Sequence, residues 1–356
     1  MVKKVFFAIL TIFMFTVVGC SLIGADKNSV SVVEDPLITT SFGADRCSDC
    51  HENQYKQWQE NAHAKSLETL SKISYAQDRC TEHMTAKGVL ASPGEEVTLK
   101  NVKHGITCVV CHLPHKGREG FLLRLPKQEL CISCHNAEGP KLGSDVHHSQ
   151  KEMFMGYGGV GLVESPSKKY QIGISCSDCH MPLLSSEPEA QVNASIAKEK
   201  WPELLNRFLE KGSVTLENGN YLAKDVTRLA SHDFAVQYDE EEGNSCKACH
   251  PNESIKNFQE QVESRQSSIA TKLAELEARI NAITEQLEQT YGDKLPTEEQ
   301  WSEGERLYFE AKLNFQIVSA DGSNGFHNYE YAQKLLQVAD KKLTASERSF
   351  FKGGSK

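Results

Sequence analysis

The chain has 356 residues, a formal net charge of −9 and a hydrophobic fraction of 39%. This length allows one or two domains. The acidic balance, with no basic run, excludes nucleic acid as a partner and fits a basic docking partner or simple solubility. The modest apolar fraction predicts a core that is not built from aliphatic side chains alone. Set against these ordinary totals are 12 cysteines and 13 histidines.

In chain order, residues 1–19 read as a lipoprotein signal peptide. Lys3 and Lys4 form the charged start, and Val5 to Val18 is an apolar run too short for a spanning helix. The run ends Val17-Val18-Gly19-Cys20, which resembles a bacterial lipobox. Cys20 is therefore the expected lipidation site, anchoring the chain to a membrane without crossing it. Ser21 follows, which by the usual bacterial sorting rule favours an outer-membrane destination, facing the periplasm or the cell surface. The plainer alternative is an ordinary signal peptide in which Cys20 is incidental. Residues 20–42, polar with Gly, Pro, Ser and Thr, read as a tether.

Residues 43–250 carry the pattern Cys-x-x-Cys-His five times: Cys47, Cys50, His51; Cys108, Cys111, His112; Cys131, Cys134, His135; Cys176, Cys179, His180; and Cys246, Cys249, His250. At this composition chance would supply on the order of 0.01 such matches, so the repetition is a signal. It is the attachment signature of c-type haem. Two thiols each add to one vinyl group of a porphyrin, and the adjoining histidine is held under the iron as proximal ligand. Zinc needs four ligands at other spacings, and five identical units do not describe a disulfide framework. Five copies of haem c are expected. Ten cysteines are thus used, Cys20 belongs to the leader, and Cys80 is left over. The chemistry needs reduced thiols and exported haem, which places maturation outside the cytoplasm. Between motifs the chain has few long periodic segments. The expected fold is mainly α, with short helices and loops wrapped on haems. Gln54–Leu70 is expected as one helix, and Trp201–Phe208 as another, started by Pro202. Gly156-Tyr-Gly158-Gly-Val-Gly161 matches a dinucleotide fingerprint literally, but no strand–helix unit surrounds it, so it reads as a flexible loop over a haem.

Residues 251–345 change character. Val262, Ile269, Leu276 and Ile283 repeat every seven residues, and Leu273, Ile280 and Leu287 form a second row offset by four. That is a helical seam over three heptads. Thr297-Glu-Glu-Gln300 reads as a capping box opening a second helix to Val318. Asp321-Gly-Ser-Asn-Gly325 breaks the chain, and a third helix runs to Leu343, leaving 346–356 as a tail. Such a long-helix bundle covers haem faces and is a candidate homodimer interface.

Eight histidines lie outside the motifs: His63, His83, His104, His115, His147, His148, His232 and His327. Five bis-histidine haems would use five of them. Such iron is closed and low-spin, so it passes electrons but offers no position to a substrate. His63, His327 and His232 are the best placed, with one of His147 and His148. His104 and His115 compete for the remaining role. Met84, Met153, Met155 and Met181 are weaker substitutes.

The order of motifs resembles the multihaem cytochromes related to pentahaem ammonia-forming cytochrome c nitrite reductase, octahaem hydroxylamine oxidoreductase and octahaem tetrathionate reductase. The similarity spans roughly residues 43–343. It rests on Trp58 and His63-Ala64 after the first motif, on Cys176-Ser-Asp-Cys179-His180-Met181-Pro182 flanked by His147 and His232, and on the last motif, the long helices and Phe326-His327-Asn328. It implies distal-ligand roles for His63, His147, His232 and His327, and subunit pairing through the C-terminal helices. The departures fall on the reductases' catalytic haem. Its place holds Cys80-Thr-Glu-His83-Met84, a degenerate site in which the second thiol has become His83 and the ligand position Met84. That haem is lost or held by one thioether; five haems are the expected count, and a sixth on Cys80 is the alternative. The tyrosine expected after the third motif is absent, and Lys168-Lys169-Tyr170 stands where a catalytic histidine would precede Cys176.

The expected function is therefore electron relay at the cell envelope, with no catalytic residues assigned. Other exported cytochromes or a quinol-linked membrane complex are the expected partners. The alternatives are a haem-dependent reductase of a small nitrogen or sulfur oxyanion, which needs one open iron, and a haem-bearing docking subunit of a reductase complex.

Overall fold

The computed structural model describes residues 43–73, 78–92, 94–113, 122–182, 191–200, 202–210, 212, 214–223, 230–236, 245–246, 250, 252–292 and 294–352. Cys20, the leader, the tether, His115 and Cys249 lie outside these residues. Among the described residues no helix is long and apolar enough to cross a membrane.

The first part is a series of short helices: α1 Glu52–Glu60, α2 Ser66–Lys72, α3 Asp78–Met84, α4 Ala86–Leu90, α5 Cys108–Cys111, α6 Lys127–Ile132, α7 Gln150–Met155, α8 Lys168–Gln171 and α9 Cys176–His180. The single helix expected over Gln54–Leu70 is two. Asn61 divides it because its side-chain oxygen accepts the amides of His63 at 2.9 Å and Ala64 at 3.2 Å, a local turn that competes with helix.

Strand β1 Gln191–Asn193, helices α10 Ala194–Lys200 and α11 Pro202–Glu210, and strands β2 Val214–Glu217 and β3 Asn220–Ala223 follow. Proline at the first position of α11 has no amide hydrogen to leave unsatisfied. The strands form a small antiparallel sheet in the order β1-β3-β2, with Val192 opposite Tyr221 and Leu216 opposite Tyr221. Asn218 and Gly219, at φ 50° and 81°, make the tight turn between β2 and β3.

Three long helices close the chain: α12 Ile255–Tyr291, α13 Glu303–Asp321 and α14 Tyr329–Lys352. The Thr297 capping box forms, but it closes only a short 3-10 turn, Glu298–Gln300. A second box, Ser302 with Glu305, opens the helix proper. Helix α14 passes the expected end at Leu343, so residues 346–352 are helical rather than tail, and the buried Ser346 hydroxyl donates to the Gly304 carbonyl at 2.8 Å.

Both heptad rows of α12 face inward. Ile269, Leu276, Ile280, Ile283 and Leu287 are buried against Tyr308, Ile317, Leu335 and Leu343, with Leu273 packed on the same cluster. Arg279 ties α12 to α14 through two bonds to Glu347, at 2.7 and 3.0 Å, and one to Asp340 at 2.5 Å. The seam is thus consumed within the chain, and a homodimer would have to use another face of these helices. Val146 and Met153 join the same cluster. The glycine loop that begins at Gly156 is not a loose cover over a haem. Gly159 donates to the Tyr331 hydroxyl, and Val160 and Asn314 exchange two hydrogen bonds. A Cβ on Gly159 would lie 2.2 Å from a Leu335 methyl carbon.

Leu276 is fully buried, so Leu276→Ala should lower stability by about 2–5 kcal/mol. The exposed Glu277→Ala should change it by less than about 0.5 kcal/mol. Denaturant unfolding followed through the helical signal measures both.

Candidate functional site

Each of the four fully described Cys-x-x-Cys-His units is a single helical turn. The histidine amide donates to the carbonyl of the first cysteine at 2.8 Å for His51, 2.9 Å for His112, 3.0 Å for His135 and 2.9 Å for His250. In the unit at Cys176 the whole pentapeptide is α9, started by a capping box between Ser175 and Asp178. One turn brings two thiols and an imidazole to one side of the backbone. None of the ten described cysteines is joined in a disulfide. Among the described residues no group of three or more His, Cys, Asp or Glu side chains stands ready to hold a metal ion by itself.

The histidines meet in pairs instead. Ring centres lie 6.0 Å apart for His112 and His232, 6.1 Å for His180 and His327, 5.9 Å for His63 and His135, and 6.2 Å for His135 and His148. Two imidazoles on opposite faces of one iron would stand roughly 6 Å apart, from metal–nitrogen bonds of about 2.0 Å. These separations fit haem iron. The packing fits it too, because buried apolar clusters form in the C-terminal bundle and beside the small sheet, whereas the described residues of 43–136 contribute to neither. A porphyrin supplies the missing apolar surface.

Burial favours the neutral form, which binds metal, in five of these imidazoles. It pushes His135 and His232 down to about 4 and lowers His63, His180 and His148. Ring orientation is fixed from the far nitrogen. The Nδ1–H of His180 donates to the Phe234 carbonyl at 3.0 Å, that of His232 to the Ala230 carbonyl at 2.9 Å, and that of His327 to the Asp321 carboxylate at 2.5 Å.

Successive units lie near one another in chain order. Cys47 and Cys108 share a hydrogen bond that, with burial, raises the Cys108 thiol, and Cys131 and Cys176 do the same for Cys176. Burial, with Cys134 nearby, pushes the Cys111 thiol up to about 11. The Ser245 hydroxyl donates to the Cys179 carbonyl at 2.7 Å, and Lys169 faces both Cys179 and Cys246.

The remaining candidates are placed differently. His104 is half-buried, and its carbonyl accepts the Ala86 amide. His147 is exposed beside His148, which adopts a left-handed φ of 54°. Cys80, His83 and Met84 form α3; Cys80 is half-buried, His83 is exposed 3.9 Å from Glu138, and the Met84 carbonyl accepts the Ser66 hydroxyl. His250 sits 3.5 Å from Glu253 and packs on Phe258 at 4.8 Å. Sequence reasoning missed Phe234, whose ring lies 4.7 Å from that of His63 while its carbonyl holds His180. It also read Asp321 only as part of a helix break. The proximity of Asp321 to His327 in sequence was the available signal.

Residues 100–140 match the doubled CXXCH motif family, and residues 220–352 match the Cytochrome c552 family. Cytochrome c-554 of Nitrosomonas europaea is 26% identical over 177 residues, which is 47% of this chain and 69% of that protein. Outer cell wall cytochrome OcwA superposes with a TM-score of 0.59 at 32% identity, covering 83% of this chain and 51% of OcwA. This chain is a multihaem c-type cytochrome. An undecahaem cytochrome from the S-layer of Carboxydothermus ferrireducens gives a TM-score of 0.48 at 25% identity, over 80% of this cytochrome and 40% of its own chain. The cytochrome thus spans about half the length of OcwA.

In this cytochrome His232→Ala should expose the iron over His112. One high-spin component should appear in the ferric EPR spectrum and vanish when exogenous imidazole is added.

Proposed function

We propose that this cytochrome carries five haems c and relays electrons between them at the cell envelope. The observation that carries the reading is the proximity of successive motif units, from Cys47 near Cys108 to Ser245, just before the last unit, bonded to Cys179. Five haems attached to units that follow one another in space in this order would form a conductor running with the chain. Haem supplies reversible one-electron exchange at iron. The protein's part is to attach each group, close its iron and keep its neighbours near.

His51, His112, His135, His180 and His250 are the proximal ligands. His232 and His327 are the distal ligands opposite His112 and His180, on the ring separations above. His63 serves His135, because it is the more deeply buried of the two imidazoles at that spacing. His148 stays at the surface beside His83. Bis-histidine iron offers no substrate position, which favours transfer over catalysis. The degenerate Cys80-to-Met84 element, in which His83 replaces the second thiol and Met84 the proximal histidine, supports the same reading.

Export and lipid attachment at Cys20 follow from the leader. Likeness to a cytochrome of the outer cell wall supports an envelope location, an outer-membrane anchor facing the periplasm or the cell surface. Other exported cytochromes or a quinol-linked membrane complex would exchange electrons with it.

Intact mass of the matured protein, paired with EPR of its oxidised form, tests this reading. Five haems, a lipidated Cys20 and low-spin iron at the haems of His112, His135 and His180 are expected. A sixth haem on Cys80, or high-spin iron that shifts on adding nitrite or hydroxylamine, would overturn the relay in favour of a reductase.

A further inference from the structure

We infer that Asp321 is a positioning residue that sets the potential of the haem on Cys176 and Cys179, an inference that rests on the ligand assignment just proposed. The turn between α13 and α14 folds Asp321 back onto His327. One carboxylate oxygen accepts the His327 Nδ1–H at 2.5 Å, and the Asp321 side chain is wholly buried. The other oxygen accepts the Ser323 hydroxyl, which in turn accepts the His327 amide at 3.1 Å. Gly322, Asn324 and Gly325, at φ 71°, 49° and 83°, let the chain reverse this tightly. The result commits Nδ1 to Asp321 and leaves Nε2 for the iron shared with His180.

This partner differs in kind from the others. His180 and His232 point Nδ1 at neutral carbonyls. Glu253 beside His250 is 47% exposed, so water screens it. A buried carboxylate on Nδ1 draws the imidazole proton toward itself and makes Nε2 a stronger electron donor. A stronger donor stabilises ferric over ferrous iron, which lowers the reduction potential. A cation stands opposite. The Lys169 ammonium lies 3.9 Å from the centre of the Phe326 ring, donates to the Phe326 carbonyl, and has Asp321 among its charged neighbours. Asp321 and Lys169 therefore act on one haem with opposite sign.

The test is a spectroelectrochemical titration of the full-length holoprotein. Haem count and low-spin EPR are established first, and the wild type is then compared with Asp321→Asn and Lys169→Met. Asp321→Asn should move one midpoint upward and displace one low-spin EPR component. Lys169→Met should move the same midpoint downward, together with that of the haem on Cys246, which Lys169 also faces, whereas Asp321→Asn should leave the other midpoints unchanged. A fully loaded Asp321→Asn protein with unaltered midpoints and EPR would overturn the inference, as would shifts of the same sign in both variants. Where Asp321→Asn fails to retain its haems, the sign for Lys169→Met decides, an upward or absent shift counting against the inference. High-spin iron in the wild type would defeat the ligand assignment itself, before any variant is compared.

Discussion

One backbone hydrogen bond, from the histidine amide of each Cys-x-x-Cys-His unit to the carbonyl of its first cysteine, underlies the haem-binding part of this molecule. It turns five residues into a platform with two thiols and an imidazole on one side. Everything between the platforms is spacing and support. The C-terminal helices obey the opposite logic, since they bury an ordinary cluster of Leu, Ile and Tyr side chains. The molecule therefore joins a part organised on prosthetic groups to a part organised on side-chain packing. Helix α7 and the glycine loop beside it lie where the two meet, with the Ser149 hydroxyl donating to the Ile317 carbonyl at 2.7 Å.

The motif platforms were legible because covalent attachment demands a fixed local spacing, which no tertiary context can relocate. The seam of α12 was legible for a related reason, because its period survives any partner. What the period could not say was which surface it meets, and the answer is α13 and α14 of the same chain. The break at Asn61 was hidden because an asparagine inside a helical pattern is as compatible with solvent as with a turn. The β2–β3 hairpin was visible in principle, since Asn218-Gly219 is a strong turn signal. Its strands are only four residues each, and although Val214-Thr-Leu-Glu217 alternates, Asn220-Tyr-Leu-Ala223 does not. The Thr297 box was read correctly as a cap but credited with the wrong helix, because Ser302 and Glu305 repeat the device a few residues later.

Ligand pairing was the least legible part. Sequence alone ranks histidines by their neighbours, but the pairing of His112 with His232 and of His180 with His327 is a property of the whole fold. His63 and His148 show the remaining subtlety, since both rings approach His135 and only burial separates them. Phe234 carries no ionisable group and drew no notice, yet it touches the surroundings of two haems with one ring and one carbonyl.

The long reach of these histidine pairs bears on how such a chain finds its fold. On the proposed pairing, a haem on Cys108 and Cys111 takes its proximal ligand from the adjoining His112 but its distal ligand, His232, from far along the chain. Closing that loop is entropically slow compared with capture by any nearer imidazole. Thirteen histidines are available to five motifs. His104 lies much closer in sequence to Cys108 than His232 does, and His147 and His148 lie closer to Cys131 than any C-terminal histidine. Refolding from a denatured, haem-loaded chain should therefore pass through misligated irons, each a kinetic trap that opens only when the wrong imidazole lets go.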